Sequence, residues 1–204
     1  MKDLHNLPTK HKEFSAMKKA LSDKQKKQNE KFLNLMNRFM YRYRMAKAFQ
    51  TIVAEDVEKR TVDGYACGMK LFMAYSAYDE IRAAERILLK LEWNVTHKYK
   101  NEKLAERIRS NKLMKDLLLE TIAVDEDGLK NMLKKFYANK NDGIMIFASS
   151  LRHSFVHGDF TTARSGLTNK REIGIVNEVT EVVLKVSDDI FSEMIHWWKI
   201  FLVI

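Results

Sequence analysis

The sequence predicts an all-α fold, on three observations. One proline and 7 glycines in 204 residues leave few helix breakers. Apolar residues recur at spacings of three and four over most of the chain, the period of a buried helix face. No pair of alternating apolar runs reads as a β-hairpin. Ile173-Gly174-Ile175-Val176 and Val182-Val183-Leu184 have strand propensity but lie inside a longer helical period. Hydrophobic residues at 46% and charged residues at 31% exclude a disordered chain and allow one sizeable core. The expected organisation is a flexible basic segment over residues 1–14 and a single helical domain over 15–204.

The elements follow in order. Residues 1–14 contain Pro8 and read as irregular. A long helix follows, ending near Arg60, with Phe32, Leu35, Met36, Phe39, Tyr43 and Ala46 on its apolar side. Thr61-Val62-Asp63-Gly64 punctuates it, and Asp63 is placed to cap the next helix, Tyr65 to Trp93. That helix is apolar around much of its circumference, as a central core helix is. A third, more charged helix is expected from Lys98 to Ala123. Asp125-Glu126-Asp127 opens a short one, Gly128 to Tyr137, with acids at its positive end. Asn141-Asp142-Gly143 is a turn. An apolar helix then runs from Ile144 to about Val156 and stops at Gly158-Asp159. After a loop containing Gly166, Asn169-Lys170-Arg171-Glu172 resembles a capping box for a last, long helix.

Composition narrows the function classes. The single cysteine, Cys67, supports neither a disulfide framework nor a cysteine-based zinc site, and fits a reducing cytoplasm. Its plain use is a buried thiol. The charged N-terminus lacks the apolar run of a secretory signal. Ile195 to Ile204 is strongly apolar but about half the roughly 20 residues a spanning helix needs. Core or dimer packing is its expected use, so no membrane partner is expected. The net charge of +9 favours a polyanionic partner. Lys10, Lys12, Lys18, Lys19, Lys24, Lys26, Lys27 and Lys31 face few acids. They make either a solvated face or a phosphate-binding arm.

Arg152-His153-Ser154-Phe155-Val156-His157 carries the most chemical information. Arginine grips phosphate with a planar fork of donors. Histidine moves protons near neutral pH. Together they suffice for metal-free RNA cleavage: a histidine takes the 2′-hydroxyl proton or gives one to the leaving 5′-oxygen. The arginine stabilises charge growing on the phosphoryl oxygens. On an ideal helix Arg152 and His157 point roughly 140° apart. Either the helix ends before His157 or a second copy supplies the other half.

These residues resemble the Arg-x4-6-His signature of the HEPN superfamily, the higher eukaryote and prokaryote nucleotide-binding domains. In that family the residue after the arginine is usually polar, often asparagine; here it is His153. The resemblance implies a helical bundle of long antiparallel and shorter helices, with the motif at the end of a short helix. It also implies a homodimer with the two motifs facing each other. Many members are metal-independent endoribonucleases of toxin–antitoxin, phage-defence and CRISPR systems; others bind RNA or act as scaffolds without catalysis. The resemblance assigns Arg152 as phosphate clamp and His157 as acid/base. His153 is a supporting group. The products would be a 2′,3′-cyclic phosphate and a 5′-hydroxyl. No cofactor and no metal is expected, and an antitoxin or other regulatory partner is compatible.

Other readings of these residues stand beside this one. Arg152 and His157 can serve as structural helix-end groups. His153 and His157, with Asp159 nearby, have the spacing of a metal pair, without the glutamate of a zinc protease. The chain can also be a non-catalytic HEPN protein or an unrelated helical interaction protein. Tyr75, Asp79 and Arg82 share a helix face. Asp79 and Glu80 either form intrahelical ion pairs or orient a motif residue from a neighbouring helix. Arg164, Lys170 and Arg171 either contact flanking phosphates of RNA or are solvated surface charge.

Overall fold

Side-chain caps and a β-branched run account for several of the helix ends in this chain. The structure, a computed structural model, describes residues 6–90, 99–122, 128–140, 143–157, 161–162 and 167–202. Among them it is all-α and contains no strand. The helices are α1 (His11–Ala20), α2 (Asp23–Gln28), α3 (Glu30–Ala48), α4 (Lys59–Leu89) and α5 (Glu102–Arg109). They continue with α6 (Lys112–Thr121), α7 (Leu129–Tyr137), α8 (Ile144–Val156) and α9 (Lys170–Leu202). Trp93, Asp125-Glu126-Asp127, Asn141-Asp142, Gly158-Asp159, Arg164 and Gly166 lie outside the described residues.

The helix expected from about residue 15 to Arg60 is three helices. Ser22 and Gln25 form a capping box that starts α2: the Gln25 N–H donates to Ser22 Oγ at 3.3 Å and the Ser22 N–H to Gln25 Oε1 at 3.0 Å. α3 stops at Ala48. The following stretch carries Thr51, Ile52 and Val53, whose branched side chains lose rotamer freedom in a helix. α4 starts at Lys59, ahead of the expected boundary, so Asp63 and Gly64 sit inside it. Asp63 caps nothing there; it accepts from Lys59 Nζ at 3.2 Å.

The helix expected over Lys98–Ala123 is two. Asn111 is the reason. Its Oδ1 accepts from the Met114 N–H at 3.0 Å and starts α6, while its Nδ2 donates to Glu172 Oε1 at 3.0 Å. Both partners are buried, so a single side chain begins the second helix and ties it to α9. α7 ends in a Schellman motif: the Lys140 N–H reaches Lys135 O, the Asn139 N–H reaches Phe136 O, and Asn139 takes φ 56°.

By internal packing the chain divides into two units. The first holds Met1–Phe49, Ser76–Thr96 and Leu184–Ile204, and so contains α1–α3 and parts of α4 and α9. Its core is aromatic. Phe14 lies 5.9 Å from Phe191 and 5.7 Å from Trp198, Phe32 lies 5.2 Å from Trp198, and Phe39 lies 5.2 Å from Phe191. All five rings are buried. Each such ring contributes roughly 1.5–3 kcal/mol or more on burial. This cluster accounts for an N-terminal departure from expectation: helix begins at His11, and Phe14 is a core residue. Thr9 is held as well, its N–H and hydroxyl donating to Asp188 at 2.8 and 2.5 Å.

The second unit holds Gln50–Tyr75 and His97–Val183. Leu104, Ile108, Met114, Leu118, Leu133, Phe136, Phe147 and Leu151 are buried there from α5–α8, with Ile175 and Val179 from α9. Gly64 and Gly68, one turn apart on α4, allow two close approaches. A Cβ at Gly64 would stand 2.3 Å from Leu167 O, and one at Gly68 would stand 2.7 Å from the Phe155 ring. Phe155 belongs to the Arg152–His157 stretch, so Gly68 seats that stretch against α4.

Candidate active site

α8 is apolar for most of its length and polar only near its end. Ile144, Phe147, Ala148, Leu151 and Ser154 are buried along one face, at helical spacing. Two contacts then hold its last turn. The Ser154 and Thr121 hydroxyls bond at 2.8 Å, joining the ends of α8 and α6. Phe155 rests on Gly68. The turn that carries Arg152, His153 and His157 is therefore fixed from two directions.

His157 terminates α8. It has φ −80° and ψ 0°, and its N–H donates to His153 O at 3.1 Å. Its side chain is exposed and that of His153 half-buried. The two imidazoles share a face, with ring centres 4.3 Å apart and planes at 43°. Arg152 goes elsewhere. It is half-buried, and its guanidinium carbon lies 5.4 Å from the centre of the Tyr75 ring on α4. Such a cation–π contact holds the guanidinium in one orientation and contributes about 0.5–2 kcal/mol. The helix period by itself sets Arg152 and His157 roughly 140° apart within one chain.

The other expected residues are distributed differently. Glu80 lies in the first unit, where Arg38 Nε donates to it at 3.0 Å and Arg42 Nη1 at 2.8 Å. Asp79 belongs to the same unit. Lys170 and Arg171 are exposed at the start of α9. Lys170 also lines a cavity of about 420 Å³ in the second unit, together with Asp63, Cys67, Lys70 and Gly174. In it, Cys67 is a buried thiol that donates weakly to Ile173 O at 3.7 Å and Asn177 Oδ1 at 3.5 Å. Burial pushes its pKa up to about 12, although Lys70 acts the other way, so it is a poor nucleophile at neutral pH.

Among the described residues no group of three or more His, Cys, Asp or Glu is placed to hold a metal ion. Tyr75 as the seat of Arg152, and Thr121 as the partner of Ser154, were not read from sequence in these roles. Both contacts join residues far apart in the chain, so neither has a local signal. Comparison with protein families, with characterised proteins and with solved structures finds no match to this chain.

Proposed function

We propose that this chain is a metal-independent endoribonuclease of the HEPN kind, acting as a homodimer. The observation that carries the reading is the pair of imidazoles, His153 and His157, 4.3 Å apart at the exposed end of α8 and next in sequence to Arg152. Two adjacent imidazoles can supply one proton acceptor and one donor. RNA transesterification needs both, one at the 2′-hydroxyl and one at the leaving 5′-oxygen. His157, the more exposed, is the acid/base group, and His153 is its support. Arg152, oriented by Tyr75, is the phosphate clamp. Because an ideal helix points Arg152 and His157 roughly 140° apart, a second copy supplies the arginine facing the histidines.

One observation favours a second reading, a non-catalytic RNA-binding or scaffold protein. Arg152 is half-buried against a core tyrosine, the position of a structural arginine. Cleavage assays separate the two. The enzyme cuts RNA in EDTA, leaves a cyclic phosphate and spares DNA, which lacks the 2′-hydroxyl. Arg152→Lys and His157→Gln should each reduce the rate, His157→Gln by about 10²- to 10⁴-fold. Cleavage that needs a divalent metal, or that survives both substitutions undiminished, overturns the enzymatic reading.

A further inference from the structure

The net charge of this protein resides at one end of the sequence. Residues 1–49 hold 13 basic and 4 acidic side chains, a net +9, which is the net charge of the whole chain. The remaining 155 residues hold 23 of each sign. The described part of this segment folds as α1–α3 in the first unit, whereas Arg152 and His157 belong to the second.

α3 presents these charges in an ordered way. Lys31, Asn34, Arg38, Tyr41 and Met45 follow one another at alternating spacings of three and four, and all are exposed. They form a stripe about 21 Å long at 1.5 Å of rise per residue. Arg44 is exposed beside it. Lys24 and Lys27 on α2 are exposed as well, and precede Lys31 at spacings of seven and four. Tyr41 is the unusual member: 67% of a large aromatic residue faces solvent on a helix whose inner face buries Phe32, Phe39 and Tyr43.

Glu80 sets the arginine geometry. Its carboxylate is nearly buried and takes bonds from both Arg38 and Arg42, leaving Arg38 54% exposed. Arg42 also donates to Ser76 Oγ at 2.8 Å. One acid thus braces two arginines, so the face remains positive and partly pre-ordered.

We propose that the outer face of α3, extended by the α2 lysines, is a binding surface for single-stranded nucleic acid. Lys31, Arg38 and Arg44 meet phosphates, and Tyr41 stacks on a base. An exposed aromatic among cations is the combination that binds single strands without reading sequence. A membrane surface fits less well, because the stripe offers only Tyr41 and Met45 as apolar groups and an interfacial helix needs a broad apolar face. The surface gives the RNA of the proposed function a place to bind. It rests on that reading only in sharing the partner, since its residues and its indifference to the sugar are separate.

The test measures binding of fluorescent single-stranded RNA and DNA of one sequence at low and moderate salt, with duplex DNA and anionic phospholipid vesicles as comparisons. Wild type should bind both single strands more tightly than duplex or vesicles. Tyr41→Ala should weaken binding at least about 5-fold, as loss of one stacked base does. Arg44→Glu should weaken it too and flatten the salt dependence by about 0.7 or more in log–log slope. Both positions are exposed, so circular dichroism and melting should match wild type in each variant. Undiminished binding by Tyr41→Ala and Arg44→Glu overturns the proposal, as does no binding of either single strand at low salt or a preference for vesicles. If DNA and RNA bind through Tyr41 and Arg44 but RNA is never cut, the active-site reading fails and this one stands.

Discussion

At the scale of single residues, position in the fold separates groups that look alike in sequence. Arg152 and Arg38 are both arginines beside polar neighbours, yet one stacks on Tyr75 and the other pairs with Glu80. Glu13 shows what such a position does to a titration. It accepts from Lys10 at 2.5 Å and from Lys199 on α9. Those bonds, the one from Lys10 first, lower its pKa from 4.5 to about 2. The folded value lies below the unfolded one, so the contribution is complete above the unfolded value. It is lost as pH falls from about 4.5 towards 2. Glu13 is partly exposed to solvent, so salt should screen the effect. Protection factors of the α1 amides, which remove the intrinsic slowing of exchange in acid, should therefore hold at pH 4.5 and fall on approach to pH 2. Glu13→Gln should abolish that pH step. An identical step in the Gln variant would show that another group controls the anchorage of α1.

At the scale of elements, glycine position is the sharpest discriminator. A Cβ at Gly64 would fall 2.3 Å from a backbone carbonyl, which cannot rotate away as a side chain can. Gly64→Ala should cost about 1–3 kcal/mol or more, the usual cost of overpacking. A Cβ at Gly174, inside α9, meets nothing within 4 Å. Gly174→Ala should therefore gain roughly 0.5–1 kcal/mol from helix propensity. Melting temperatures should move in opposite directions, by about 2–4 °C per kcal/mol for a chain of this size. A stabilised Gly64→Ala would mean that Leu167 does not approach α4 as described.

The same elements show how far the fold could be read from sequence. α7, α8 and α9 follow their apolar periods because burial of one face governs them. The break before α6 was missed because apolar residues recur on both sides of it, and the one before α2 because residues 22–31 are polar throughout and carry no period to interrupt. Ser22-x-x-Gln25 is a visible capping signature, but Asn111 gains its decisive partner, Glu172, only after folding. Gly64 read as a turn because a glycine needed for close approach looks locally like one needed for a bend. Of the Arg152 surroundings, the seat on Tyr75 was not legible, because it joins residues far apart in the chain.

At the scale of the whole molecule, the central question is whether the proposed active site is built from one chain or two. Within a chain, the Arg152 guanidinium lies on Tyr75 while His153 and His157 pair with each other. A two-fold dimer can bring the arginine of one copy to the histidines of the other, and does so at both sites at once. This makes a quantitative prediction. Arg152→Ala and His157→Ala should each be inactive alone. When the two are unfolded together and refolded in equal amounts, half of the dimers should contain one chain of each kind. Each of these has one site with both residues intact and one with neither. Activity should therefore return to roughly a quarter of wild type for such two-fold symmetric sites. Light scattering should report a dimer throughout. No recovery in a mixture that demonstrably contains mixed dimers would place Arg152 and His157 of the same chain at one site. A monomer that still cleaves RNA would remove the need for a partner altogether.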